Sequence, residues 1–129
     1  MFPSDVFTRI CHVKRGYEDR ERHILKEFGR RGVPVNFYTH WDKEDISPDI
    51  RKRWTDDGKL SGAVLSLALK HLAIWQEFLE SDKPYCLVFE DDVFLARDFN
   101  EKLAKCLDEL GNADRMAVVY LGNGSNYYI

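Results

Sequence analysis

A chain of 129 residues has room for one domain with a modest core. Its composition is 44% apolar, 13% aromatic and 32% charged, with a net charge of -3, which sets up no field that would argue for nucleic acid or an anionic membrane as a partner. The longest apolar run, near Ala63 to Leu69, is broken by Ser66 and is too short to cross a bilayer. The start, "MFPSDVFTRI", has neither the basic nor the apolar segment of a secretory signal. Cys11, Cys86 and Cys106 are odd in number with no CxxC spacing, and read as reduced core thiols of a cytosolic protein.

Strand and helix patterns alternate along the chain. Val6 to Val13 reads as a first strand. A helix is predicted over Glu18–Arg30, with Ile24, Leu25 and Phe28 on one side, Glu18/Arg22 and Glu27/Arg31 as i,i+4 pairs, and Gly32 and Pro34 as its stop. Val35–Tyr38 is a second strand, and Ser47 and Pro48 are the N-cap and first position of a short helix. The longest helix is predicted over Gly62–Glu80. Leu65, Ala68, Leu69, Leu72, Trp75 and Leu79 form one stripe, and further apolar residues off it imply a helix buried in the middle of the fold. "YCLVF" suits a central strand covered on both faces. Asp98 and Glu101 have the spacing of a capping box for a helix over Asn100–Leu110. "RMAVVYLG" reads as a fourth strand and "NGSNYYI" as a hairpin arm, so the sequon at Asn123 marks a turn. This alternation predicts one α/β domain, a mostly parallel sheet flanked by helices.

The chemistry concentrates in "CLVFEDDVFL", where Glu90, Asp91 and Asp92 end an apolar strand. Ligands of open α/β sheets bind at the carboxyl ends of the strands. Because side chains alternate along a strand, Glu90 and Asp92 are expected on one side and Asp91 on the other, leaving an acid-x-acid pair at the ligand edge. Two hard oxygen donors on one side suit Mg²⁺ or Mn²⁺ and leave coordination positions for phosphate oxygens. The plainer alternative is three acids that cap a strand and solvate a loop, and the residues alone leave both open. No glycine-rich phosphate loop is present. The acids lack the downstream Thr or Ser of a haloacid-dehalogenase-like phosphatase, and they lie too late in the chain for a receiver domain.

"ALKHLAIWQEFL" followed by "CLVFEDDVFL" resembles the core of glycosyltransferase family 25, which includes bacterial lipooligosaccharide galactosyltransferases and collagen-modifying relatives. That family shows A-L-S-H-L and then L-E-D-D-V. Here Lys70 replaces the Ser and His71 keeps the His. The family's I-N-L-x-R…D-R is similar to Cys11, His12, Val13, Lys14, Arg15, Asp19 and Arg20, with His12 where Asn is usual. Its F-x-A-V-D-G is echoed by Phe37 to Asp42. The resemblance covers about Val6 to Gly122.

The resemblance implies the donor-binding half of a GT-A-like (Rossmann-like) fold that moves a sugar, galactose above others, from a UDP-sugar donor to a hydroxyl of a glycan or lipooligosaccharide acceptor. It implies Mn²⁺ or Mg²⁺ as cofactor, with Asp92 and Glu90 as metal ligands. Arg15, Arg20, Asp42, His71, Glu90 and Asp91 are the implied donor-binding residues. The general base for the acceptor hydroxyl is not found in this chain. In such folds the base and the acceptor pocket come from polypeptide after the acidic motif, and the stretch after Asp92 is short. The reading is therefore a single domain over 1–129 without the acceptor-binding part, cytoplasmic or peripheral at the inner membrane, and either a fragment, a naturally short relative, or a chain whose site a homodimer or another chain completes. The competing reading is a non-catalytic domain that binds a sugar nucleotide or a partner.

Overall fold

Alternate residues of the first strand, β1 (Val6–Cys11), face opposite sides of the sheet, and β1 is the central strand of three. It pairs in parallel with β2 (Phe37–Tyr38) on one side and β3 (Tyr85–Glu90) on the other, giving the order β2-β1-β3. The register sets Cys11 beside both Tyr38 and Glu90, so all three strands end at one level and their following loops share one edge. The computed structural model describes residues 1–55, 60–113 and 116–122.

Helices cover both faces of the sheet. Helix α1 (Glu18–Arg31) buries Ile24 and Phe28 against Ile10 and Phe89, with Val33 and Leu95 completing that cluster. The Phe28 and Phe89 rings meet edge-on at 4.9 Å. Helix α4 (Phe99–Gly111) lies on the same side, with Phe99 against Phe89 and the Asn100 side chain donating to the Arg31 carbonyl at 2.9 Å. The other face is covered by α3 (Gly62–Glu80), whose Ile74 packs with Cys11 and Tyr38. A 3-10 turn at Lys43–Asp45 and the short α2 (Pro48–Trp54) join β2 to α3. Four α-helices and three parallel strands among the described residues make the α/β, Rossmann-like architecture that the alternating pattern predicts.

Helix ends follow local chemistry. Gly32, at φ 64°, closes α1, with its N–H and that of Val33 donating back to Gly29 and Phe28. Ser47 accepts from the Ile50 N–H as cap of α2, with Pro48 in the first turn as expected. Ser61 caps α3 in the same way, a cap absent from the sequence reading.

Five expectations are corrected. The strand "YCLVF" is not central: β3 has a neighbour on one side only among the described residues, and β1 takes the central place. The expected fourth strand does not form among the described residues. There Met116 to Leu121 has no strand pairing and every residue is exposed, while Arg115 and the arm at 123–129 with its sequon lie outside the described residues. Asp98 makes no capping bond and pairs instead with Lys102 at 3.3 Å. On α1 the charged pairs that form are Arg22 with Asp19 and Arg30 with Glu27, at i,i+3 spacing. Helix α3 is not buried all round, and its buried face shares only Leu65 and Leu69 with the predicted stripe. Leu65, Ser66, Leu69, Lys70 and Ile74 are inside, whereas Leu72, Trp75 and Leu79 are exposed.

Candidate functional site

The loops after the three strands and the first half of α3 enclose an open cleft of about 740 Å³. Its volume lies in the range of small-molecule sites. His12, Arg15, Gly16, Tyr17 and Arg20 come from the β1–α1 connection, Asp42 to Asp45 from the stretch after β2, Ser66 and Lys70 from α3, and Glu90 and Asp91 from the end of β3. Gly16, at φ 88°, allows the sharp turn that carries the chain from β1 into α1.

The acidic turn resolves the repulsion that its sequence poses by sending the three carboxylates different ways. The strand ends at Glu90, and Asp91 and Asp92 form a turn, so strand alternation does not extend to them. Asp91 is only 6% exposed. Its Oδ2 accepts from His12 Nδ1 at 2.7 Å and its Oδ1 from Arg20 Nη1 at 2.9 Å. The His12 ring is buried against Phe37, with ring centroids 4.7 Å apart, and its Nε2 has no partner among the described residues. Arg20 also lies over the Tyr17 ring at 5.1 Å. Its hydrogen bond to Asp91, followed by the charges of Asp91 and Asp92, raises the guanidinium pKa above its ordinary value.

Glu90 is exposed and lines the cleft. Asp92 is exposed and does not line it, although its charge reaches Arg20. Neither Glu90 nor Asp92 has an ion-pair partner among the described residues. No three His, Cys, Asp or Glu side chains among those residues are grouped to hold a metal. The described residues thus form no all-protein cage, and an ion at this edge would need oxygens of its ligand beside one or two carboxylates, as Mg²⁺ commonly takes them.

The opposite wall is built by α3. Lys70 is 3% exposed, and its Nζ donates to Asp42 Oδ1 at 2.8 Å and to the His40 carbonyl. One helical turn earlier, Ser66 Oγ donates to the Trp41 carbonyl. Trp41 sits between these anchors at φ 62°, a left-handed conformation that costs a bulky residue about 1–3 kcal/mol and persists only when its surroundings hold it. Burial pushes the Cys11 thiol up to about 11, with Lys70 opposing and Glu90 and Asp91 adding to the rise. A thiol so protonated at neutral pH is not a nucleophile.

Of the residues singled out in the sequence, the structure thus brings Arg15, Arg20, Asp42, Glu90 and Asp91 to one cleft. It does not bring His71 there. That side chain lies away from the cleft, its ring 6.0 Å from that of Trp75. Asp91 already has a protein donor on each carboxylate oxygen, so it serves as an anchor before it serves any ligand. Sequence reasoning passed over His12 and Lys70. Both were visible as departures from the family pattern, and both are paired with a cleft carboxylate.

Residues 15–127 match the family model described as glycosyltransferase family 25 (LPS biosynthesis protein). The chain is 28% identical to the lipooligosaccharide biosynthesis protein lic2B of Haemophilus influenzae, over 74% of this chain and 37% of that protein. It is 30% identical to the lacto-N-neotetraose biosynthesis glycosyltransferase LgtE of Neisseria meningitidis serogroup B, over 80% of this chain and 39% of the relative. For LgtB of Neisseria gonorrhoeae the figures are 30%, 80% and 39%. The matched part of this chain thus spans well under half the length of these relatives.

Proposed function

The chain belongs to glycosyltransferase family 25, and we propose that its cleft is the nucleotide-sugar site of a glycosyltransferase acting in lipooligosaccharide or related glycan synthesis. The donor in this reading is a UDP-sugar, UDP-galactose first among them, the acceptor is a glycan hydroxyl, and the domain is of GT-A type. The observation that carries the reading is the juxtaposition of Arg15, Arg20 and Lys43 with Glu90 at the carboxyl edge of a parallel sheet, in a chain of this family. Donor cations beside a free carboxylate are what a diphosphate with its counter-ion requires.

Each cleft residue has a task in that reaction. Arg20 is held from behind by Asp91, so its remaining N–H groups are oriented before the diphosphate arrives. As the sugar–phosphate bond breaks, negative charge grows on the departing diphosphate, and Arg20 and Arg15 stabilise it. Loss of one preorganised donor of this kind costs about 3–4 kcal/mol in a well-studied hydrolase. Asp42 accepts hydrogen bonds from ribose hydroxyls, a familiar task for an acid in nucleotide-binding folds. Glu90 and Asp92 would hold Mn²⁺ or Mg²⁺, which when bound supplies Lewis-acid stabilisation of the leaving phosphate.

The test is calorimetric titration of the protein with UDP and UDP-galactose, with and without Mn²⁺, repeated on Glu90→Ala. Metal-enhanced binding that weakens about tenfold or more in the variant is the expected result. Equal heats for UDP and for uridine, with or without metal, would sink the reading.

A further inference from the structure

The stretch 40–42 is held by α3 at three consecutive residues. Lys70 bonds the carbonyl of His40 and the carboxylate of Asp42, and Ser66 bonds the carbonyl of Trp41 between them. Residues four apart on a helix share one face, so a single turn of α3 makes all three contacts. A turn whose middle residue is a left-handed Trp would not keep this shape unaided. Burying an ammonium is also costly unless it is paired, and here the pairing goes to one cleft carboxylate and one backbone carbonyl. An ammonium has three N–H donors, so one remains beyond these two bonds. The same helix turn carries apolar residues on its outer side, and nothing about helix packing requires Ser and Lys inside.

We propose that Lys70, seconded by Ser66, is a positioning residue for the ribose-binding carboxylate. It fixes the turn at 40–42 and compensates the charge of Asp42, so that this carboxylate is presented to the donor in one orientation. The inference rests on the donor-site reading above and adds to it the element that sets nucleotide selectivity. A site built to hydrogen-bond a hydroxyl rejects an analogue that lacks it, because the buried acceptor is left unpaired. That discrimination requires a rigid acceptor. An Asp42 released from Lys70 would swing to water and lose it.

The experiment compares the affinities of UDP, 2′-deoxy-UDP and 3′-deoxy-UDP for the unsubstituted chain, Lys70→Met, Lys70→Arg and Ser66→Ala, each first checked for cooperative melting. The unsubstituted chain should prefer UDP to at least one deoxy analogue by about tenfold or more. Lys70→Met should weaken UDP to the level of that analogue while leaving the analogue's own affinity within about threefold. Lys70→Arg should restore part of the preference. Ser66→Ala, the milder change, should reduce the preference in the same direction and serves as the test should Lys70→Met fail to fold. Loss of affinity for all three nucleotides alike, or a preference that survives both substitutions, would overturn the proposal. An unsubstituted chain that binds UDP with no preference would overturn it while leaving the donor site standing. A chain that binds no UDP would overturn the donor site itself.

Discussion

Asp91 and Asp92 are neighbours in sequence and opposites in the folded protein. The base of the acidic turn is buried and anchored: Asp91 accepts from both His12 and Arg20. Its tip is exposed, with no ion-pair partner among the described residues. The three acids are therefore not one constellation. The base joins the end of β3 to the start of α1, and only the tip and Glu90 keep carboxylates available to a ligand. A buried charge that is paired on both oxygens contributes little net stability, yet removing it strands its partners. The same rule governs Glu27, whose oxygens take the Leu95 N–H at 2.8 Å and Arg30 at 2.6 Å.

The largest effect should come from breaking the base. Asp91→Ala leaves His12 buried without its acceptor and frees Arg20, and should cost about 3–5 kcal/mol in urea unfolding. A loss below about 1 kcal/mol would mean that the anchor is not what holds the turn. Arg20→Ala acts on both sides of the comparison, since Arg20 is fixed by the base and faces the cleft. We expect UDP affinity to fall by about 1.5–3 kcal/mol, the worth of a hydrogen bond to a charged group; calorimetry reads it directly, and unchanged affinity would place the diphosphate elsewhere.

Glu27 sharpens the comparison through pH. Burial works against its carboxylate, but the Leu95 N–H and Arg30 outweigh that, and its pKa falls below the ordinary 4.5. A depressed acid contributes stability that is fully present above its unfolded value and is lost as pH falls through its folded value. Glu27→Gln should therefore lower stability at pH 7 by about 1–2 kcal/mol and flatten the stability profile below pH 4.5. An acid limb as steep in the variant as in the unsubstituted chain would contradict the assignment. The smallest effect is on Cys11. With its thiol pushed up to about 11 by burial, iodoacetamide at pH 8 should leave it unmodified while half-buried Cys106 reacts. In Asp91→Ala, Cys11 should become reactive as the end of the sheet loosens.

The sequence was a good guide where structure is local. The helices over Glu18–Arg31 and Gly62–Glu80, the Ser47 cap and the strand that begins at Tyr85 could all be read from spacing and punctuation. What it concealed depends on partners distant in the chain. "YCLVF" has the composition of a central strand, but centrality is a property of its neighbours, and here β1 has them. "MAVVYL" has strand composition and no strand to pair with among the described residues. On α3, hydropathy pointed to Leu72, Trp75 and Leu79 as core, yet Ser66 and Lys70 are inside because the turn at 40–42 supplies their oxygen partners. Polar residues enter an interior where they are satisfied, and hydropathy does not record that satisfaction. In the site, Arg15, Arg20, Asp42 and Glu90 were legible from the family motifs. The separate fates of Asp91 and Asp92 were not, because alternation presumes that the strand continues through Asp92 and it ends at Glu90.

Thermal melting of Asp91→Asn and Asp92→Asn, with and without UDP and Mn²⁺, tests that division most directly, because a ligand that binds only the folded state raises its melting temperature. The account predicts that Asp91→Asn melts well below the unsubstituted chain in the absence of ligand. Asp92→Asn should melt with the unsubstituted chain, within about 0.5 kcal/mol of stability, but lose the added shift that Mn²⁺ confers on UDP. An Asp92→Asn protein that keeps the full Mn²⁺-dependent shift, or an Asp91→Asn protein as stable as the unsubstituted chain, would contradict it.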